Sequence, residues 1–417
     1  MRRLRWTMAG AAALCLLAGA GVARADQKLS SLLSQLYGGD GILLDTPLGI
    51  DHSPHFTQSS LQELSSLSDI LTSSLGSFTF NSTVSSYTFD LELGVPVRTT
   101  ESLGPIVSER ATTIGARRLN VGYSYNRVGY KRFQGHPLDD YTIYFNHDDV
   151  NHDGILGPPG CDCAELDKIA VNMDIKLVED IYSFYGTFGV LKNLDIGVAI
   201  PLIDVDLRAH AHAEVQRNHT DSINVHNFAI PPDLTLDPPE DFQDSSVHGS
   251  SFGIGDILLR GKYNFLRSGE SWRPNLAAVG QVQFPTGDEY DLQGTGSWAG
   301  MFMFVVDHSY GPISPHLNLG YEIVGGHSDR DNLRYYVGFD TRLHPRLTGV
   351  IDLLGRWEPK GDGIGDNLLD GSIGAKFNVW RSLVLVSNFI VPINRNQGLR
   401  TNFIWALGIE YTFGGPE

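Results

Sequence analysis

Asp149, Asn151 and Asp153 place oxygen-bearing side chains at alternate positions, Gly154 follows, and the carbonyl of Ile155 comes next. This is the opening of a calcium loop: a hard dication takes oxygen ligands, and the glycine lets the chain fold tightly around it. A complete helix–loop–helix site needs a glutamate at its twelfth position. Here that position is Gly160, so Asp162, Glu165 or Asp167 would have to complete the shell. The competing reading is a polar loop that uses Asn and Asp for turn geometry. Both readings stay open, calcium on Asp149, Asn151, Asp153 and Ile155 or a metal-free polar loop, and no other cofactor is expected. His210, His212 and Glu214 recur at strand spacing on one face, which suits either a metal or a row of wall side chains. Ser and His are plentiful, but no local signature groups them with an acid into a hydrolytic trio. No enzyme is expected.

A larger set carries charge. Asp256, Arg260, Lys262, Glu322, Arg334, Asp340, Arg342, Asp352, Arg356, Asp370, Lys376 and Glu410 lie opposite apolar faces in stretches of period two. The last such stretch sets Phe403, Trp405, Leu407, Ile409, Tyr411 and Phe413 against Asn402, Ile404, Ala406, Gly408, Glu410 and Thr412. Those are the two faces of a strand. About twelve strands of this kind run from 118–133 to 401–413, an even number within the range of bacterial outer-membrane barrels. Their connections alternate. Gln134 to Asp167 and Arg217 to Ser251 are long, whereas the turns near Lys192, at Gly311-Pro312, at His344-Pro345 and at Trp380-Arg381 are tight. A soluble sandwich has no cause to alternate in this way; a barrel with long outer loops and short periplasmic turns does. Closure follows, because an open edge would leave backbone polar groups unsatisfied in hydrocarbon. The charged set then faces inward. It either lines a lumen that steers solute or pairs across strands to fill the interior. Phe133, Tyr263, Phe265, Trp298, Tyr310, Tyr321, Trp357, Trp380, Tyr411 and Phe413 are the expected interfacial girdle. The second and third strands are over-long and change phase near Leu177 to Tyr182 and Leu202 to Val205, so they bulge or rise above the membrane.

Before residue 118 the pattern differs. Met1-Arg2-Arg3-Leu4-Arg5, the apolar run from Met8 to Val22, and Ala23-Arg24-Ala25 read as a signal peptide over 1–25. Residues 26–117 are rich in Ser and Leu and read as a periplasmic or plug segment. Leu61, Leu64, Leu67, Leu71 and Leu75 recur there at helical spacing. Val95-Pro96 and Gly104-Pro105 look like ordered turns, so residues 86–117 are expected to tuck into the barrel, which occupies 118–417. The fold class is thus all-β: a transmembrane antiparallel up-and-down barrel of about twelve strands with a small, partly helical N-terminal segment. The formal charge of −17 argues against a nucleic-acid partner. With Cys15 in the signal peptide, only Cys161 and Cys163 remain, too close together to scaffold a fold.

Three stretches carry a resemblance. Ser102-Leu103-Gly104-Pro105-Ile106 leads through Ile114-Gly115 into Leu119-Asn120-Val121-Gly122-Tyr123. Gly253-Ile254-Gly255-Asp256-Ile257 precedes Lys262-Tyr263. Phe284-Pro285-Thr286-Gly287-Asp288 precedes Gly294-Thr295-Gly296-Ser297-Trp298. Together they resemble the outer-membrane family named for a putative MetA-pathway of phenol degradation, over roughly residues 86 to 413. The resemblance implies a barrel that passes small molecules, and brings no catalytic residue.

The resulting expectation is an outer-membrane channel of a Gram-negative cell for a small, hydrophobic or aromatic solute. A closed structural or adhesive barrel acting through its long loops is the first alternative, and a lipid-modifying enzyme the second. Expected partners are outer-membrane lipid and lipopolysaccharide, the barrel-assembly machinery through the C-terminal strand Gly408 to Phe413, and the solute.

Overall fold

The computed structural model describes residues 28–37, 42, 44, 53–56, 64, 87–90, 95–98, 102–149, 163–218, 226–228, 241–267, 272–360 and 367–414. The signal peptide expected over 1–25 lies outside these residues. So do the leucines at helical spacing other than Leu64, which is helical and buried.

The wall strands are β1 (Leu119–Phe133), β2 (Lys168–Leu191), β3 (Leu194–Gln216), β4 (Phe242–Ile254), β5 (Ile257–Leu266), β6 (Asn275–Phe284), β7 (Ala299–Asp307), β8 (Ile313–Val324), β9 (Asn332–His344), β10 (Leu347–Trp357), β11 (Asn367–Trp380), β12 (Leu383–Pro392) and β13 (Leu399–Phe413). β4 and β5 follow one another along β3, which pairs with β5 over Leu194 to Ala199 and with β4 over Leu202 to Glu214. They act as one interrupted strand. Wall neighbours are otherwise consecutive and antiparallel, and β13 returns to β1 with Phe413 opposite Leu119. The sheet is a closed barrel of 12 strands, as the alternating connections predict.

The alternation within β8 shows what surrounds the wall. Ser314, His316, Asn318 and Glu322 are buried, while Ile313, Leu317, Leu319, Tyr321 and Ile323 are exposed. Water would favour the reverse arrangement; hydrocarbon favours this one. The same inversion recurs as Phe302 and Phe304 on β7, Val337 and Phe339 on β9, Ile373 and Phe377 on β11, and Trp405, Leu407 and Ile409 on β13. The ten steps from Ile313 to Ile323 rise about 33 Å along the strand, or about 25 Å across a membrane at the usual tilt. The protein lies in the outer membrane, with this belt against lipid. Trp298, Tyr310, Trp357 and Trp380 are exposed at strand ends, as girdle residues should be. Phe133 departs from that expectation: it is buried, and its ring packs 5.9 Å from Tyr141.

β2 and β3 hold their register through the region where their pattern changes phase, with Ile181 opposite Ile203 and Leu177 opposite Leu207. No bulge interrupts them there. The environment changes instead. On the outward face of β3, Ile196, Val198, Ile200 and Leu202 give way to Asp204, Asp206, Arg208, His210, His212 and Glu214. The membrane boundary falls between Leu202 and Asp204. Beyond it the inward face turns apolar: Val205, Leu207, Ala209, Ala211, Ala213 and Val215 are all buried. β4 pairs with this extension, where the sequence suggests only loop, and Tyr141–Asn146 pairs with β2 on its other side. The result is a ribbon standing above the long-loop end.

The described early residues cover that ribbon. Leu29, Leu32, Leu33, Leu36, Ile42, Leu44, Phe56 and Leu64 join its inward face in one apolar core. The Ser30 N–H donates to the Tyr290 carbonyl at 2.8 Å, and Lys28 pairs with Asp288 and Asp291 at 2.8 Å each. An even strand count suggests that this segment starts on the short-turn side. The structure places the described residues of this segment, 28–37, 42, 44, 53–56 and 64, at the long-loop end instead, because the exposed apolar ribbon is there and must be covered.

Candidate functional site

Residues 102–118 cross the inside of the barrel. Gly104 at φ 84° and Gly115 at φ 89° turn the chain at either end, in a region that favours glycine. Leu103, Ile106 and Ala111 are fully buried. Buried backbone needs partners, and here inward side chains of the wall supply them. The N–H groups of Leu103, Glu109, Ala111 and Ile114 donate to Thr348 Oγ1 at 2.8 Å, Asn318 Oδ1 at 2.6 Å, Asp307 Oδ1 at 2.6 Å and Asp195 Oδ2 at 3.0 Å. Asn318 and Asn264 donate back to the carbonyls of Glu109 and Ala111 at 3.0 and 2.9 Å. The Arg117 N–H closes the crossing on the Gly189 carbonyl at 2.7 Å. Thr348, Asp307, Asp195 and Gly189 lie near the tight turns, so this segment occupies the short-turn half of the barrel interior.

Two charge clusters fasten it. Glu109 meets Arg260 at 2.5 Å and Lys262 at 3.3 Å. Arg110 donates to Asp340 at 2.7 Å and to the hydroxyl of Ser102, which itself donates to Asp340. Around Asp340, His316 faces Asp352 at 2.6 Å and Asp340 at 3.6 Å, and Lys376 faces Glu410 at 3.6 Å. These groups are buried with opposite charges interleaved. Breaking one buried pair by removing one partner typically costs about 3–5 kcal/mol. Together they form a latch between the segment and the wall.

Six of the twelve charged positions named from the sequence, Arg260, Lys262, Asp340, Asp352, Lys376 and Glu410, are therefore brought together at the latch. Glu322 and Arg334 pair at 2.7 Å, Arg356 and Glu358 at 2.6 Å, and Asp370 and Arg400 at 2.7 Å, nearer the long loops. Arg342 is half-buried near the tight turn after β9. Asp256 departs from a lumen-wall role. Its carboxylate accepts from the Gly287 and Thr295 N–H groups at 3.0 and 2.8 Å and from Gln283 at 2.9 Å. Thr286 Oγ1 donates to the Gly255 carbonyl at 2.7 Å and accepts from the Ile257 N–H. The Gly-Asp break between β4 and β5 and the Pro-Thr-Gly-Asp loop are thus one unit that shapes the barrel mouth.

Sequence reasoning passed over Ser102, Glu109, Arg110, His316, Asn318, Asp307 and Asp195. Their signal was present in β8, where Ser314, His316, Asn318 and Glu322 share one face, but nothing local showed what they bind. Ser102, His316 and Asp352 are also the residue types of a hydrolytic trio. A base needs one ring nitrogen for the serine proton; His316 has Nε2 on Asp352 and Nδ1 toward Asp340. Of the calcium loop, Asp149 is described, whereas Asn151, Asp153 and Ile155 lie outside the described residues. His210 and His212 are exposed on the outer face of the ribbon, with His212 2.7 Å from Asp244.

Gly374 on β11 makes room for the segment: a Cβ there would stand against Ile106 and the Ser387 carbonyl. A side chain at Gly374 would also press on the β12 backbone, so the cleaner change is on the segment itself: Ile106→Asp should unseat it there while leaving strand pairing intact. We expect a cysteine at Ser108 to react severalfold faster with a membrane-impermeant maleimide in that variant. Unchanged labelling would show that the segment is not packed on the wall there.

The family described as "Putative MetA-pathway of phenol degradation" matches residues 166–359, from just before β2 to just past β10. The resemblance read from the motifs holds over that narrower span. Several solved structures are similar to this chain at low identity. An outer-membrane channel from Pseudomonas putida F1 is 12% identical with a TM-score of 0.42, over 73% of this chain and 99% of that one. The toluene transporter TbuX of Ralstonia pickettii is 10% identical with a TM-score of 0.35, over 76% and 96%. A FadL homologue of Pseudomonas aeruginosa is 10% identical with a TM-score of 0.31, over 71% and 89%. No curated protein matches the sequence.

Proposed function

We propose that this outer-membrane barrel, matched to that family across its central strands, is a channel for a small hydrophobic or aromatic solute, held shut by residues 102–118. The observation that carries the reading is how the interior is filled. A barrel closed for good can fill itself with its own wall side chains. This one is filled by a separate segment, fastened through side-chain contacts and two charge clusters, so it can leave without breaking a strand pair. Above it, Tyr130, Phe133, Phe145, Phe56 and Phe228 are buried in the core at the long-loop end; once the early residues lift, that aromatic surface would favour uncharged organic solutes over ions.

The test is permeation into liposomes holding the purified chain, using toluene, a small sugar and a small organic anion. The channel reading expects toluene-class solutes to enter fastest, and all three to enter faster when the latch is weakened. Equal rates with and without protein, for intact and weakened latch alike, would favour a structural barrel acting through its loops.

A further inference from the structure

Three histidines from distant parts of the chain meet at the long-loop mouth, away from the latch. His55 belongs to the helical turn at 53–56, His147 follows the strand Tyr141–Asn146, and His226 lies in the connection after β3. One ligand atom from each lies within 4.8 Å of the others. His226 and His147 are buried, and His55 is partly exposed. We infer that His55, His147 and His226 form a binding site for a divalent transition-metal ion of the zinc class, which fastens the early segment to two outer loops.

The geometry fits such an ion. His55 Nδ1 and His147 Nε2 are 3.0 Å apart. Two nitrogens bound to one tetrahedral zinc at its usual bond length stand about 3.3 Å apart, so a small shift admits the ion between them. The remaining nitrogens are held as metal-binding imidazoles commonly are. His226 Nδ1 is 2.9 Å from a carboxylate oxygen of Asp167, both residues being fully or nearly fully buried. His147 Nδ1 is 2.6 Å from the Asp148 carbonyl. Carboxylate and carbonyl acceptors of this kind fix the tautomer and aim Nε2 at the metal. Phe56 lies edge-on to His147 and His226 at 5.0 and 5.2 Å, shielding the rings on one side. Three neutral imidazoles select zinc, copper, nickel or cobalt, whereas calcium takes oxygen ligands. The site is therefore different in chemistry from the oxygen-rich loop that starts at Asp149. Its fourth position falls to water.

The contact it closes already exists in part: the Asp148 N–H donates to the His55 carbonyl at 2.8 Å. An ion here links residues 53–56 to the loops on either side of the ribbon, with no gain for a barrel that lacks the early segment.

The test uses the purified full chain, stripped with a chelator and titrated with Zn2+ by calorimetry, each variant first shown to migrate as a folded, heat-modifiable barrel. The expected result is uptake of a single ion per chain, with affinity lowered about 10–100-fold by Asp167→Asn, which spares the three ligands. His226→Ala should lower it at least as far, and His210→Ala with His212→Ala should leave it unchanged. Zn2+ should also slow trypsin cleavage after Lys28. No stoichiometric uptake by the wild type overturns the assignment. So does uptake that is equal in wild type, Asp167→Asn and His226→Ala, which would place the ion on other histidines.

Discussion

Replacing Glu109 and Arg110 together by alanine should turn a closed barrel into a conducting one. In the docked state the double variant leaves Arg260 and Lys262 without Glu109, and Asp340 without Arg110. In the undocked state the same wall groups meet water in an open lumen and lose little. The penalty thus falls on the closed form alone. One buried pair broken at the low end, about 3 kcal/mol, shifts the open-to-closed ratio more than a hundredfold. The two clusters are neighbours and will not add fully, yet either is large enough to see. Single-channel recording should find openings that are rare in the wild type and dominant in the variant. Heat-modifiable migration should be unchanged, because no strand pair involves these residues. An equal open probability in the two proteins would mean that the clusters only fill space.

Leu33→Asp should release the cover at the other end. Leu33 is 1% exposed and sits in the core shared by the ribbon and the early residues. A carboxylate there has no water, and its burial costs several kcal/mol. The cheapest relief is for Leu29, Leu32, Leu33, Leu36 and their neighbours to leave the ribbon. Trypsin should then cut after Lys28 at a rate near that of an unfolded peptide. The apolar row Val205, Leu207, Ala209, Ala211, Ala213 and Val215 should bind a hydrophobic dye. The membrane belt is independent of this core, so the variant should still run as a folded barrel. Leu33→Ala removes only a packed side chain and should loosen the cover less, by about 2–5 kcal/mol. A protease-resistant Leu33→Asp chain would show that the early segment does not depend on that contact.

The wall was legible in the sequence because its pattern is local. Period two in β8, β11 and β13, and the alternation of long and tight connections, are fixed by residues that are neighbours along the chain. The phase change near Leu202 was also visible, with two readings, a bulge or a rise above the membrane, and the structure keeps the second. A strand whose surroundings change from lipid outside to a covered core inside looks, in one dimension, like a strand with a bulge. Only the unbroken pairing of β2 with β3 separates the two. The latch was half visible for a similar reason. Asp340, Lys262 and Lys376 announce themselves as charges opposite apolar faces. Glu109 and Arg110 stand in a segment without periodicity, and their partners lie about 150 to 230 residues away along the chain. Asp256 misled because a carboxylate beside a strand break can face a lumen or cap a loop, and the loop that claims it begins at Thr286. The three histidines share no spacing at all, so only the fold brings them together.

If residues 102–118 are a removable closure, the wall folds without them and is then open. The direct measurement is single-channel conductance in planar bilayers of the full chain beside a chain that lacks residues 26–117, which ends just before β1. Both should migrate as folded barrels. The shortened barrel should conduct steadily, while the full chain stays mostly shut. A shortened barrel that folds and yet never conducts would contradict such a closure, since the wall itself would then close the path.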